Sequence, residues 1–562
     1  MSRADLDPLK SLEVYGIEIP APLEMPKDVQ GKFTYEEWKV FGAMCNKNPE
    51  LMKEKDAIYL RNLAKCIKAT ANGKLDDVIK DPLNMIKHPL YLKYSAYYQN
   101  IKDQKAALRK DPSWKASNDA RVALRKQKYG SCLLDGELAP LQSFTIEPEG
   151  IFEGRPGSPD QGLWKTVCNP SEIVVNTNST KLPVFIVNEK EVPFTGSTIW
   201  EPTYHYAAVY PTYIGVPGQK PVSKKMAKIM FGAQSKVKKQ GQSKKYEAGE
   251  ALMGESAKLI KQLTDGLVKD PTPTKVAIYC LFFKGIRIGH KDPTRNGTKG
   301  LLSLEWGKDV WREQQTIKFD FIGKDSVRDV SELVCPSMEI AENIEKVWKS
   351  TCKLDTTKAK IENWVKARAN IKFTPKLSRT MVAARTMLDA LDAVTKKYNL
   401  TKNSPEALKK LAFNEANMAV AHQLNHQKGV SKAAKAKREE KFAETKGKLK
   451  EREAKADELT KKRKAKIKEL KKAKKAGWEE KVAKLEEMIA KSEFRVDIAK
   501  KNANFKESEA NYTASTSKAA YIDSKIIATW CDQIGLPIEK VYSKTQLTQF
   551  EDRINSKEEE NA

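Results

Sequence analysis

An α+β protein of several structural units is predicted from this sequence by three observations: its length, a change of hydrophobic period along the chain, and one long lysine-rich tract near the end. At 562 residues the chain exceeds what a single hydrophobic core organises. Apolar residues recur at three- and four-residue spacings in some stretches and in short β-branched runs in another, so helical and sheet-rich parts are segregated.

Taken in order, residues 1–33 carry Pro8, Pro20, Pro22 and Pro26, which predict an extended lead-in. Residues 34–128 predict a helical cap. Trp38, Phe41, Leu60, Leu63 and Ile67 fall on helical spacings there, and Pro82, Pro89 and Pro112 divide the stretch into short helices. Residues 129–224 read as a β-rich core unit, with the runs Ile173, Val174, Val175 and Val184, Phe185, Ile186, Val187 between glycine and proline turns. Residues 225–427 predict a mainly helical unit broken by one strand pair, Thr316 to Ile322 and then from Val327. Residues 428–510 are rich in Lys and Arg and contain no proline. Gly477 and Trp478 split them into two arms, the second with Val482, Leu485 and Ile489 on one stripe, so the tract predicts an antiparallel coiled-coil hairpin. Residues 511–562 predict a small helical end with Ile526, Ile527, Trp530 and Leu536 available for docking.

Lys and Arg number 101 against 73 Asp and Glu, a formal net charge of +28, and the basic residues run from end to end. That balance points to a polyanionic partner, nucleic acid above all, because cations that neutralise phosphates release condensed counterions. The cysteines, Cys45, Cys66, Cys132, Cys168, Cys280, Cys335, Cys352 and Cys531, form no CxxC pair or Cys/His cluster, so neither a zinc site nor a disulfide framework is expected. Met1 to Lys10 is charged and has no apolar run, and no stretch has the apolar length of a membrane span, so no secretory or membrane signal is expected.

Four separated motifs carry more. Tyr129 and Gly130, then Phe144, Ile146, Glu147, Pro148, Gly150, Phe152, Gly154 and Arg155 form the first, and Phe319 to Ser326, around Lys324, the second. Asn414, Ala416, Asn417, Ala419 and Val420, followed by Asn425, His426 and Gln427, are the third. The fourth is Ser517, Lys518, Tyr521, Asp523, Trp530 and Cys531, then Gly535, Pro537, Ile538, Glu539, Lys540, Tyr542, Lys544, Thr545 and Gln546. In this order, from about Tyr129 to Phe550, they resemble the eukaryotic-type DNA topoisomerases IB of nuclei and some large DNA viruses, whose catalytic domain is tyrosine recombinase-like. Residues 14–128 resemble the same family's helical cap more weakly.

The resemblance implies a two-lobed clamp around double-stranded DNA, acting as a monomer without cofactor, metal or ATP. It implies relaxation of positive and negative supercoils by transient single-strand cleavage, a 3′-phosphotyrosyl intermediate and controlled rotation. Tyr521 corresponds to the nucleophile, Arg287, Arg379 and His426 to the groups on the scissile phosphate, and Lys324 to the general acid for the departing 5′ oxygen. These residue types suit that chemistry: a guanidinium offers parallel donors to a phosphate, and a positioned acid or base assists proton transfer. Asp and Glu clusters at metal-binding spacing are missing around the motifs, which disfavours two-metal cleavage.

Ile288 and His290 stand where the family usually has alanine and asparagine, and Arg385 competes with Arg379 within one stretch. His426 is singled out from His88, His205, His290 and His422 by its neighbours Asn425 and Gln427. Arg155, Asp325 and Ala520 match positions that line the family's camptothecin pocket, and Ala520 replaces the asparagine usual before the nucleophile. The implied location is the nucleus, or the viral factory or virion for a viral chain. A tyrosine recombinase is the first alternative, but its tyrosine would follow the histidine without a long intervening coiled coil. An inactive architectural DNA-binding protein is the second, and the presence of the whole catalytic set argues against it.

Overall fold

In the computed structural model, the described residues are 6–155, 158–293, 297–427, 432–473 and 477–556. The first residues of the lead-in, the start of the lysine-rich tract, most of its turn and the last six residues of the chain therefore lie outside the described residues. The chain divides into two units, one of residues 1–245, 290–299 and 322–326 and one of residues 246–289, 300–321 and 327–562. Each mixes helices with small sheets, an α+β construction.

In the first unit the helices Tyr35–Cys45, Ala57–Ala71 and Pro89–Leu108 bury Trp38, Phe41, Tyr59, Leu63 and Ile67 in one apolar cluster. Sequence chemistry sets their starts. Thr34 and Glu37 form a reciprocal capping box, and the Asp56 carboxylate accepts from Tyr59 N at 2.9 Å. Trp38 sits against Phe33, Phe41 and Tyr94 and donates from its indole nitrogen to the Tyr98 hydroxyl at 3.3 Å, which gives a large buried ring its polar partner.

A second cluster in this unit lies among three sheets. The largest orders strands Ser197–Ile199, Val174–Asn176, Ala208–Gly215, Trp164–Thr166 and Gly150–Ile151, with Ser223–Ile229 paired to Ala208–Gly215. The proline-rich start is more than a lead-in. Leu12–Val14 pairs antiparallel with Ser131–Leu134, and Gly16–Ile19 runs parallel to Val184–Val187. The reason is burial: Leu12, Val14 and Ile17 are at most 2% exposed, so this segment supplies core side chains and finds ladder partners far along the chain.

In the second unit the helix Pro273–Phe283 is buried all round, which suits its nearly unbroken apolar sequence, while Ser256–Lys269 buries only the stripe Leu259, Leu263, Leu267. Around them pack Met338–Thr351, Pro375–Lys397, Glu406–Gln423 and Ser524–Ile534. The strand pair of the sequence reading is a three-stranded sheet, because Val310–Glu313 pairs antiparallel with Thr316–Ile322, which adjoins Arg328–Val334. Val310 at 0% exposure pays for that extra strand by burial.

The lysine-rich tract forms two helices, Lys432–Ala473 and Trp478–Ser508, with Gly477 in the left-handed region at φ +72°. Ion pairs Lys471–Glu486 at 3.3 Å, Glu453–Lys500 at 2.6 Å and Lys446–Glu507 at 2.8 Å step down one arm and up the other, an antiparallel register. Its apolar seam is short: Ile467, Val482 and Ile489, with Leu470, Trp478 and Leu485 against them. These exposed ion pairs set register more than stability.

Candidate functional site

Four of the five residues singled out as catalytic meet in the second unit. Arg287 follows the buried helix Pro273–Phe283 through Gly285, whose φ of +67° favours glycine and where an added Cβ would lie 2.9 Å from a Leu424 methyl. Beyond it the backbones of Gly289 and Gly300 cross, so close that a Cβ on Gly289 would lie 2.6 Å from Gly300 Cα. Leu301 N then donates to the Arg287 carbonyl at 2.9 Å and fixes the arginine's backbone.

Arg379 lies in the helix Pro375–Lys397, 4% exposed. One terminal nitrogen donates to the Gly285 carbonyl, the other to the Leu424 carbonyl at 2.9 Å, and the latter also lies 3.4 Å from His426 Nε2. The guanidinium carbon is 5.0 Å from the Tyr521 ring centre. Its Nε is buried and meets no hydrogen-bond acceptor among the described residues. Arg385, the competitor, is turned about 120° around the helix by the six intervening steps and donates elsewhere, to Phe282 O at 2.9 Å.

His426 follows the helix Glu406–Gln423 after Asn425, which takes the left-handed conformation at φ +52°. Its amide donates to Ala421 O at 2.8 Å and its carbonyl accepts from Thr513 N at 2.9 Å, while Gln427 bridges to Tyr512. The two ends of the lysine-rich tract are thereby stitched together. Arg438 adds a further clip, donating to Ala510 O at 2.6 Å and to the Asn511 side chain at 3.0 Å.

Tyr521 stands at the end of the short helix Ala514–Ala520, 5% exposed, its ring centre 5.1 Å from that of His426. The following segment is anchored from three sides. The Asp523 carboxylate accepts from Arg553 at 2.7 to 3.1 Å, Arg553 also donates to Glu250, and Trp530 Nε1 donates to Thr395 Oγ1 at 2.9 Å on the helix that carries Arg379. Burial would lower Arg553, but the Asp523 and Glu250 carboxylates together outweigh it and raise it above the usual guanidinium value.

The electrostatics favour an anion. Burial, and then the Arg287 charge, bring Arg379 down to about 10. Burial, and then Arg379 and Arg287, push His426 down to about 3, so its imidazole is neutral. Burial alone would raise Tyr521, but Arg379 and Arg287 outweigh it and leave the phenol below its ordinary value.

Lys324 belongs to the first unit, exposed at the turn between Thr316–Ile322 and Arg328–Val334. The next two residues, Asp325 and Ser326, have φ of +66° and +56°, a conformation costly for side chains other than glycine. Within the same unit Asp325 pairs with Arg155 at 2.9 Å. Ala520 is partly buried against the core of the second unit. No group of three or more His, Cys, Asp or Glu able to hold a metal occurs among the described residues, and no helix among them is long and apolar enough to cross a membrane.

Two positions escaped the sequence reading as site residues. Ser517, quoted only as part of a motif, places its hydroxyl 2.7 Å from His426 Nδ1, and Arg553 anchors Asp523. Neither contact has a local sequence signal, since the partners are 91 and 30 residues apart.

Family models described as "Eukaryotic DNA topoisomerase I, DNA binding fragment", "Eukaryotic DNA topoisomerase I, catalytic core" and "C-terminal topoisomerase domain" match residues 25–204, 234–463 and 493–560 in that order. The chain belongs to the eukaryotic DNA topoisomerase I family. Within the family it is 24% identical over 551 residues to DNA topoisomerase 1 of Drosophila melanogaster, covering 94% of this chain and 50% of that protein. It is 27% identical to DNA topoisomerase 1 beta of Arabidopsis thaliana, covering 76% of this chain and 46% of that protein. With the protein named "DNA topoisomerase I, mitochondrial" of Rattus norvegicus it shares 26% identity over 76% of this chain and 70% of that one. The chain spans about half the length of the fly and Arabidopsis topoisomerases it matches.

Proposed function

We propose that the protein is a type IB DNA topoisomerase that relaxes positive and negative supercoils in duplex DNA without ATP or metal. The observation that carries this reading is Tyr521 buried against the Arg379 guanidinium and a neutral imidazole, within the influence of the Arg287 charge, with the buried Arg379 Nε–H lacking an acceptor among the described residues. A phosphodiester oxygen supplies the missing acceptor, and a phenol of lowered pKa is a ready nucleophile.

In the proposed reaction Tyr521 gives up its proton to solvent water and the phenolate Oη attacks phosphorus, forming the phosphotyrosyl bond to the 3′ side. The bond to the 5′ oxygen breaks, and Lys324 supplies the proton that this oxygen takes up. Arg287, Arg379 and the His426 imidazole donate to the non-bridging oxygens where charge accumulates. The strand rotates while the 3′ side is held, and the 5′ hydroxyl then reverses the attack, so the bond energy is kept and no nucleotide is consumed. Contacts fall mainly on the backbone, which favours duplex over sequence. The protein is proposed to act as a monomer on nuclear DNA, or in a viral factory or virion if the chain is viral.

The test is relaxation of positively and negatively supercoiled plasmids in EDTA without ATP. Stepwise relaxation of both is expected. No relaxation by folded protein, or strand exchange between substrates in its place, contradicts the reading.

A further inference from the structure

The His426 ring is held from the side opposite Arg379, and the holder belongs to the helix of the nucleophile. Ser517 is 0% exposed, its Oγ is 2.7 Å from His426 Nδ1, and its carbonyl accepts the amides of both Tyr521 and Ile522 at 3.0 Å. One residue therefore touches the histidine by its side chain and the tyrosine by its backbone. The hydroxyl has no other acceptor among the described residues. A neutral imidazole has one N–H and one lone pair, so two arrangements exist. If Nδ1 carried the proton, the buried hydroxyl hydrogen would have nowhere to go, an unfavourable state. If Ser517 donates, Nδ1 accepts and the ring proton resides on Nε2. Arg379, at 3.4 Å from Nε2, then stands beside a second donor with no strong bond between them, and the two N–H groups flank the place of a single acceptor.

We propose that Ser517 is a positioning residue that fixes His426 as the Nε2–H tautomer and ties its orientation to the backbone of Tyr521. His426 then donates from Nε2 to a phosphoryl oxygen without first gaining a proton, and the donor turns with the nucleophile's helix. The catalytic side of this inference rests on the proposed topoisomerase reaction. The tautomer itself does not.

The experiment has two arms. Nitrogen-15 NMR of His-labelled, DNA-free full-length protein, with the His426 signals assigned by their loss in His426→Gln, reads the tautomer directly. Nδ1 is expected as the unprotonated nitrogen, and Ser517→Ala is expected to release the ring to a mixture of tautomers. Single-turnover cleavage of a nicked suicide duplex reads the consequence. Ser517→Ala should slow cleavage about tenfold, the worth of one buried hydrogen bond, with non-covalent DNA affinity unchanged. The same substitution in a His426→Ala background should cost about twofold or less, because a residue acting through His426 has nothing left to position. Ser517→Thr, which keeps the hydroxyl, should restore both readouts. A wild-type ring protonated on Nδ1 overturns the proposal, as does an equal loss with and without His426. Wild-type protein that fails to cleave at all refutes the reaction instead, and leaves the NMR arm to decide the tautomer.

Discussion

Arg379→Lys keeps a positive charge at the centre of the site and removes the planar fork, so it separates charge from geometry. Arg379 spends its two terminal nitrogens on the carbonyls of Gly285 and Leu424, which belong to different segments, and leaves Nε–H unused. An ammonium is a single point and satisfies one of the two buried carbonyls. The other is left unpaired at a cost of about 1–3 kcal/mol, so unfolding by denaturant should show a loss of about 2 kcal/mol. The chemical step also loses a donor aimed at developing charge, which in comparable anion-stabilising sites costs about 10²- to 10³-fold in rate. Single-turnover cleavage of a suicide duplex, measured below the unfolding transition, should fall by that factor, while DNA affinity changes little. A variant that loses stability yet cleaves within about tenfold of wild type would show that Arg379 is only a strut between two carbonyls.

Protonation should leave a distinct signature. His426, held at about 3, should give no inflection in the cleavage rate near the ordinary value of 6.5, whereas the rate should rise with pH and level off below the ordinary phenol value of 10 as Tyr521 ionises. Because the folded histidine binds fewer protons than the unfolded one, its contribution to stability is full above pH 6.5 and is lost as pH falls towards 3; melting of wild type and His426→Gln across that range checks the slope. If about six to ten phosphates are contacted, affinity for duplex should drop by about 10³ to 10⁵ between 50 and 200 mM salt, and a flat titration would show that the basic surface is not its source. Ala520 offers no side-chain hydrogen bond beside the nucleophile, so camptothecin should trap cleavage complexes weakly, and Ala520→Asn should strengthen trapping by about 1 kcal/mol. Equal, strong trapping in both forms contradicts that assignment.

Much of the architecture was legible because each long helix announces itself locally. The Trp38, Phe41, Leu60, Leu63, Ile67 spacings, the Val482, Leu485, Ile489 stripe and the Gly477 break are short-range patterns, and the same holds for the motifs around His426 and Tyr521. The strands at Leu12–Val14 and Gly16–Ile19 were not, since three or four residues are too few for a periodicity and their partners lie more than a hundred residues away. Val310–Glu313 was missed for the same reason. In the site, residue types with distinctive neighbours could be picked out, Arg379 among them, but that Arg379 and Arg385 donate to different partners shows only in the structure. The contacts of Ser517 with His426 and of Arg553 with Asp523 arise only when distant segments pack, and no local pattern encodes them.

Attack of Tyr521 on a DNA phosphodiester leaves a covalent protein–DNA adduct whose position on both partners can be read. Protein is incubated in EDTA with a suicide duplex labelled separately at each end, and the covalent product is digested and sequenced by mass spectrometry. One adduct is expected, a phosphotyrosine at Tyr521 joined to the 3′ side of the break, absent from Tyr521→Phe although that variant still binds DNA. An adduct on another tyrosine, attachment through a 5′ phosphate, or cleavage that persists in Tyr521→Phe would contradict the proposed reaction.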